Sequence, residues 1–155
     1  MRVPRAKPLG NAEIAPAEPT RLATQTVGNI GLYFVCYRLS QHGWNVMPTA
    51  RNAKGIDILA YSQDGKRTRT VQVKALSARN AVLLGPTLDG FIAEFVIVCR
   101  KVRADSPESF VLTSRDVVER AHRGGSDSKP TYWLETKAYE GDQFRERWEK
   151  IGSGL

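Results

Sequence analysis

The 155-residue chain holds only two cysteines and two histidines, which leaves no disulfide framework and no zinc-ligand spacing to build on. Cys36 and Cys99 each sit in an apolar segment and read as buried free thiols of a cytosolic protein, and His42 reads as a helix-end residue. No stretch approaches the ~18 consecutive apolar residues of a membrane span, and the first residues lack a signal peptide's apolar core. A cytoplasmic location with no membrane partner is therefore expected. There is no internal repeat, no HxE…CxxC pattern, no glycine-rich nucleotide loop and no nucleophile triad, so the enzyme classes that depend on them fall away.

Hydrophobic residues make up 41 % of the chain, the proportion of an ordinary globular domain. The length suits one domain with a normal core. Residues 1–24 hold Pro4, Pro8, Pro16 and Pro19 among alanines and scattered charge, without periodicity, and read as a flexible leader before a domain at 25–155. The net charge of +7 is uneven. Residues 1–24 carry four basic and two acidic side chains, 25–104 eleven and four, and 105–155 eight and ten, giving +2, +7 and −2. A polyanion approaching the middle segment is one reading of this excess, and simple solubility the other.

That middle segment contains Gly55 to Leu76, GIDILAYSQDGKRTRTVQVKAL. Two runs rich in β-branched and aromatic residues flank Asp64-Gly65, which suits the turn of a hairpin. With a two-residue loop, paired positions sum to 129, and Asp57 falls opposite Gln72. Gln72 and Lys74 are two apart, so an acid, an amide and an amine share one face. Ile56, Ile58, Ala60, Val71 and Val73 form the other face, the core. As a surface-facing residue Asp57 is expected to add little to stability.

Around the hairpin, residues 25–41 read as a helix apolar over nearly its whole circumference, with Gly28 and Gly31 as bare patches for a sheet and Gly43 as terminator. Trp44 to Met47 reads as a short strand ended by Pro48. Arg51 and Lys54, in the loop before the hairpin, stand where a phosphate backbone could lie; ordinary solvation is their alternative. Ala81–Leu84 suits an edge strand, Phe91–Val98 a central strand and Phe110–Leu112 another. Thr113-Ser114-Arg115-Asp116 signals a helix cap, with the helix running to about Arg123. Gly124 to Pro130 reads as loop and Tyr132–Leu134 as strand. Phe144, Trp148 and Ile151 recur at the spacing of a closing amphipathic helix.

Gly-Ile-Asp, a hairpin, then Gln-Val-Lys resembles the PD-(D/E)xK nuclease superfamily, the restriction-endonuclease-like and Holliday-junction-resolvase-like group, in the variant where Gln replaces the second acid. Gly28-Asn29-Ile30-Gly31 before an apolar helix and Gly43-Trp44 is similar to the "GxxGE…GW" start of small bacterial members. The likeness covers roughly residues 25 to 150 and departs at Leu32, where the family usually has Glu.

The resemblance implies an α/β fold, a central mixed β-sheet with the site on a hairpin and helices on its flanks. It implies Mg2+ (or Mn2+) held by Asp57, the Gln72 side chain and the Val73 carbonyl, with Lys74 on the attacking water. Catalytic Asp57, Gln72 and Lys74 would then serve an endonuclease acting on nucleic acid, double-stranded DNA first, and the pattern leaves room for a homodimer. A second carboxylate could come from Glu94 if its face turns inward. The alternative is a degenerate member that keeps the fold as a DNA-binding or protein-interaction module.

If the basic excess serves phosphates, affinity for duplex DNA falls steeply between about 50 and 200 mM salt. Arg51→Ala and Lys54→Ala then each weaken binding alike across sequences and lower the salt slope by about 1. Binding isotherms over that range check this, and salt-indifferent affinity would remove nucleic acid as the partner.

Overall fold

The computed structural model describes residues 21–50 and 54–155. The leader through residue 20 and Arg51 lie outside the described residues. Leu22 already packs against the core, and helix α1 spans Thr24–Gln41. Its buried residues Val27, Gly31, Val35, Cys36 and Leu39 recur at close to four-residue spacing and so define one face. The rest of its circumference is not buried: Tyr33 and Tyr37 are 64 % and 59 % exposed. The helix ends as expected, with Gly43 at φ +84. His42 stacks its ring on Trp148.

The strands are β1 (Asn45–Pro48), β2 (Ile58–Tyr61), β3 (Thr68–Leu76), β4 (Val82–Gly85), β5 (Phe95–Arg100), β6 (Glu108–Thr113), β7 (His122–Ser126) and β8 (Lys129–Leu134). Five of them form a mixed sheet in the order β1-β2-β3-β5-β6, and β4-β8-β7 form a second sheet. All neighbours are antiparallel except β3 and β5. Every residue of β5 is buried, as a strand covered on both faces demands. Ile97 and Cys99 face α1, while Val96 and Val98 face the second sheet. Short helices α2 (Ser114–Arg120) and α3 (Thr136–Tyr139) complete that second face through Val117 and Tyr139.

Gly31 sets how closely α1 approaches. A Cβ there would lie 2.5 Å from the Cβ of Ala75, so the contact requires glycine. Gly28 meets nothing within 4 Å and borders a cavity instead. The expected central strand begins later, at Phe95, with residues 91–94 irregular.

Three other stretches differ from expectation. The capping box forms at Thr113 and Asp116, but the helix ends at Arg120 because Ala121 turns extended into β7. Residues 124–130, expected as loop, are strand on both sides of a turn at 127–128, aided by a cross-strand pair of His122 and Trp133 rings 4.5 Å apart. No closing helix forms around Phe144, Trp148 and Ile151. All three are buried, but Phe144 belongs to the core on one side of the large sheet and the other two to the core opposite, so no single helix face serves them. A 3-10 turn at Trp148–Lys150 suffices.

At the far end of β5, Arg100 is 4 % exposed. Its guanidinium binds Glu108 and, at 3.0 Å, Glu140, and lies 4.8 Å from the Phe110 ring centre. Hydrogen bonds from Arg79 and then Arg100 pull the Glu140 carboxyl down from 4.5 to about 2. A lowered carboxyl contributes stability that is complete above its unfolded value and is lost as pH falls toward the folded one. The melting temperature should therefore drop between pH 4.5 and about 2. Glu140→Gln should melt lower at neutral pH and lose less across that window; equal acid slopes would mean that the ion pairs contribute nothing.

Candidate active site

The hairpin register expected from the turn holds: Ile58↔Val71, Leu59↔Thr70, Ala60↔Arg69 and Tyr61↔Thr68. The loop is longer than two residues. Ser62 N–H donates to the Arg67 carbonyl and Gly65 N–H to that of Ser62, which leaves Gln63 to Lys66 as a four-residue connection. An even loop preserves the register. The Asp64 carboxylate accepts from the Ser62 hydroxyl and the Lys66 N–H, and those hydrogen bonds lower its pKa.

Asp57 sits one residue before β2, where the ladder stops being regular. Its N–H donates to the Val71 carbonyl at 2.8 Å, although Val71 is already the partner of Ile58. Two residues thus oppose one, the pattern of a β-bulge. The Asp57 carboxylate then accepts the Val73 N–H at 2.7 Å. The backbone is held again by Thr49, whose N–H donates to the Asp57 carbonyl at 2.9 Å and whose hydroxyl donates to that of Ile56 at 2.6 Å. Gly55 is fixed by a close approach: at φ +74, a Cβ would lie 2.4 Å from the Gly90 carbonyl oxygen. The sequence-based pairing of Asp57 with Gln72 is thus replaced by contacts to the β3 backbone on either side of Gln72.

The bulge changes the faces. Asp57 and Val73 line a cavity of about 460 Å³ on the α1 side, together with Gly28, Asn29, Leu32 and Thr49. Gln72 and Lys74 belong to the opposite face, paired to Val96 and Val98. Asp57, Gln72 and Lys74 therefore straddle the edge of β3 rather than sharing one face. Lys74 remains within electrostatic reach of Asp57. Burial pushes its pKa down from 10.5, and the Asp57 charge opposes that shift. Its ammonium lies 5.7 Å from the Phe91 ring centre.

The Gln72 side-chain oxygen is buried with no hydrogen-bond partner. Unsatisfied buried oxygens are rare, and this one is a donor atom suited to a hard cation. Glu94 does not turn inward: its carboxylate accepts the Thr70 N–H at 3.2 Å and pairs with Arg69 at 3.4 Å. Among the described residues no three His, Cys, Asp or Glu side chains gather at one place. The Asp57 carboxylate and the unpartnered Gln72 oxygen are both hard oxygen donors, the type that a magnesium-type ion takes beside its waters. Leu32 borders the cavity where the resemblance expects Glu. Lys54 is exposed just ahead of Gly55.

Sequence reasoning missed Gln25, Asn29 and Tyr33, which also line the Asp57 cavity. Their spacing with Gly28 and Leu32 along one helical stripe carried the signal. Gln25 donates to Asn29 at 2.8 Å. Phe91 beside Lys74 carried no local signal.

No protein-family model and no curated protein matches the chain. Among solved structures it is similar to Hjc, a Holliday junction resolvase from Archaeoglobus fulgidus, at 17 % identity and a TM-score of 0.43, over 69 % of this chain and 89 % of that one. No helix among the described residues is long and apolar enough to cross a membrane.

Removing the Asp57 carboxylate leaves the Val73 N–H without its partner, which costs about 1–3 kcal/mol. Asp57→Ala should lower the unfolding free energy by that amount, read as an earlier denaturation midpoint at unchanged slope, whereas Asp57→Asn, which keeps an acceptor oxygen, should stay near the parent. Equal midpoints for the two variants would show that the bond does not hold the edge of β3.

Proposed function

We propose that the chain is a metal-dependent endonuclease-like protein that binds DNA and hydrolyses its phosphodiester bonds. The observation that carries this reading is the meeting of Asp57 and a desolvated Lys74 across an open strand edge, beside the unpartnered Gln72 oxygen. Asp57, Gln72 and the Val73 carbonyl would hold Mg2+ or Mn2+. When bound, such an ion neutralises phosphoryl charge and acidifies a water.

The remaining work falls to the chain's own groups. Val73 N–H keeps the Asp57 carboxylate oriented, so one oxygen is spoken for and the other is left for the cation. Lys74 is held against the Phe91 ring, and burial, opposed by the Asp57 charge, shifts its pKa downward, the direction that favours proton exchange with an attacking water. As an ammonium it stabilises the charge that develops on the phosphoryl oxygens. Exposed Lys54 would take a neighbouring phosphate, and Arg51 remains a candidate for the same role. Duplex DNA is the proposed substrate, with a homodimer as the proposed assembly and the cytoplasm as the proposed location.

The second reading is a non-catalytic DNA-binding or protein-interaction module of the same fold, and Leu32, which lines the cavity, is the residue on which the two differ. The two separate on plasmid nicking. In magnesium or manganese the parent should nick supercoiled plasmid, and Lys74→Ala should slow it by about 10²–10⁴-fold. Leu32→Glu should melt lower without metal, because a half-buried carboxylate beside Asp57 lacks a partner, and regain part of the loss with manganese through binding to the folded state. A parent that does not nick, with Leu32→Glu silent in both assays, leaves the non-catalytic module.

A further inference from the structure

Beyond Val71, β3 continues for five residues with no strand on its β2 side among the described residues. The Asp57 carboxylate occupies the first place on that edge through the Val73 N–H. Three cavities follow one another along the rest. The first, of about 460 Å³, holds Asp57 and Val73. The second, of about 380 Å³, shares Val73 with it and adds Lys74. The third, also about 380 Å³, shares Thr24, Ala75, Leu76 and Asn80 with the second and ends between Arg21 and Arg103. They form one groove with α1 as one wall and the segment around Ala81 to Leu83 as the other.

Charge along the groove is ordered. Of the described residues that line it, Asp57 alone is acidic, and it stands at one end. Lys74 lies next, and the two arginines close the other end. From Val73 to Ser77 the strand advances about 13 Å. Guanidinium groups match phosphate oxygens in geometry and keep their charge at any working pH. Tyr33, 64 % exposed, borders the Asp57 end and offers a ring face of the kind on which an unpaired base stacks.

We propose that this groove is the track of an unpaired nucleic-acid strand, a single-stranded extension of the duplex bound at Asp57, whose backbone runs from the Asp57 site along the edge of β3 to a phosphate clamp formed by Arg21 and Arg103. The inference rests on the nuclease reading for what happens at Asp57, but the clamp is a binding site in its own right. The clamped phosphate lies roughly two to four nucleotides from the one at Asp57, depending on how far the bases stay stacked at ~3.4 Å per step. A duplex cannot follow the same path, since its two backbones and paired bases do not enter a channel walled by one helix and one strand.

The test is fluorescence anisotropy of a labelled oligothymidylate and of a duplex of equal length, in EDTA so that nothing is hydrolysed. Arg21→Ala and Arg103→Ala should each weaken binding of the single strand about tenfold and lower its salt slope by about 0.7, while duplex affinity changes less than about threefold. Arg21→Glu and Arg103→Glu should weaken it further, with the melting temperature of Arg21→Glu at the parent's value because that side chain is exposed. A strand that binds the parent and all four variants alike overturns the clamp and leaves the nuclease reading to the plasmid assay. Equal losses for duplex and single strand overturn the unpaired-strand assignment. A parent that binds neither DNA and nicks no plasmid overturns both the clamp and the reading beneath it.

Discussion

The bond from the Val73 N–H to the Asp57 carboxylate decides where the hairpin ends and the site begins. A strand edge must satisfy its backbone groups or expose them to water. At Val71 the pairing strand bulges, and at Val73 a side chain takes over what a backbone carbonyl would have done. Everything proposed for this molecule lies on the edge thereby left open. The carboxylate is oriented, the Val73 carbonyl is freed from β2, and the remainder of β3 lines a groove instead of a ladder.

The second constraint is closeness of layers. α1 lies against β3 because Gly31 lets Ala75 touch the helix backbone. That contact brings one helical stripe, from Gln25 to Tyr33, over the Asp57 cavity. A bulkier residue at Gly31 would lift the helix from β3, which is why a packing position also governs the chemistry.

Charge is divided between the two halves of the molecule in a way that the totals conceal. Glu108, Glu140 and Glu146 are engaged by Arg100, Arg79, Arg145 and Arg38 in ion pairs that tie the C-terminal segments to the large sheet, to α1 and to the connection after β3. Those pairs engage three of the ten acidic residues of 105–155 within the fold. Arg38, Arg79 and Arg100 of the basic middle segment are engaged in this way, whereas Lys54 and Lys74 lie near the Asp57 end of β3.

Local pattern was enough for α1, for the hairpin register and for the buried strands, because helix stripes, turn chemistry and apolar runs are short-range properties. An even number of residues in the loop kept Ile58 opposite Val71 although the turn itself differed. Asp57, Gln72 and Lys74 were legible as a group for the same reason. Their arrangement was not, since a one-residue bulge reverses the face of a side chain and depends on Thr49 and Gly90, far from the hairpin's own turn. The closing segment shows the same limit: Phe144, Trp148 and Ile151 have helical spacing but pack on opposite sides of the sheet. Arg21 and Arg103, 82 positions apart, became neighbours of one groove only through folding. Residue identity and spacing determined which chemistry the chain could carry, and tertiary packing decided which edge carries it, because backbone groups left unpaired by one strand must be met by whatever the rest of the fold brings near.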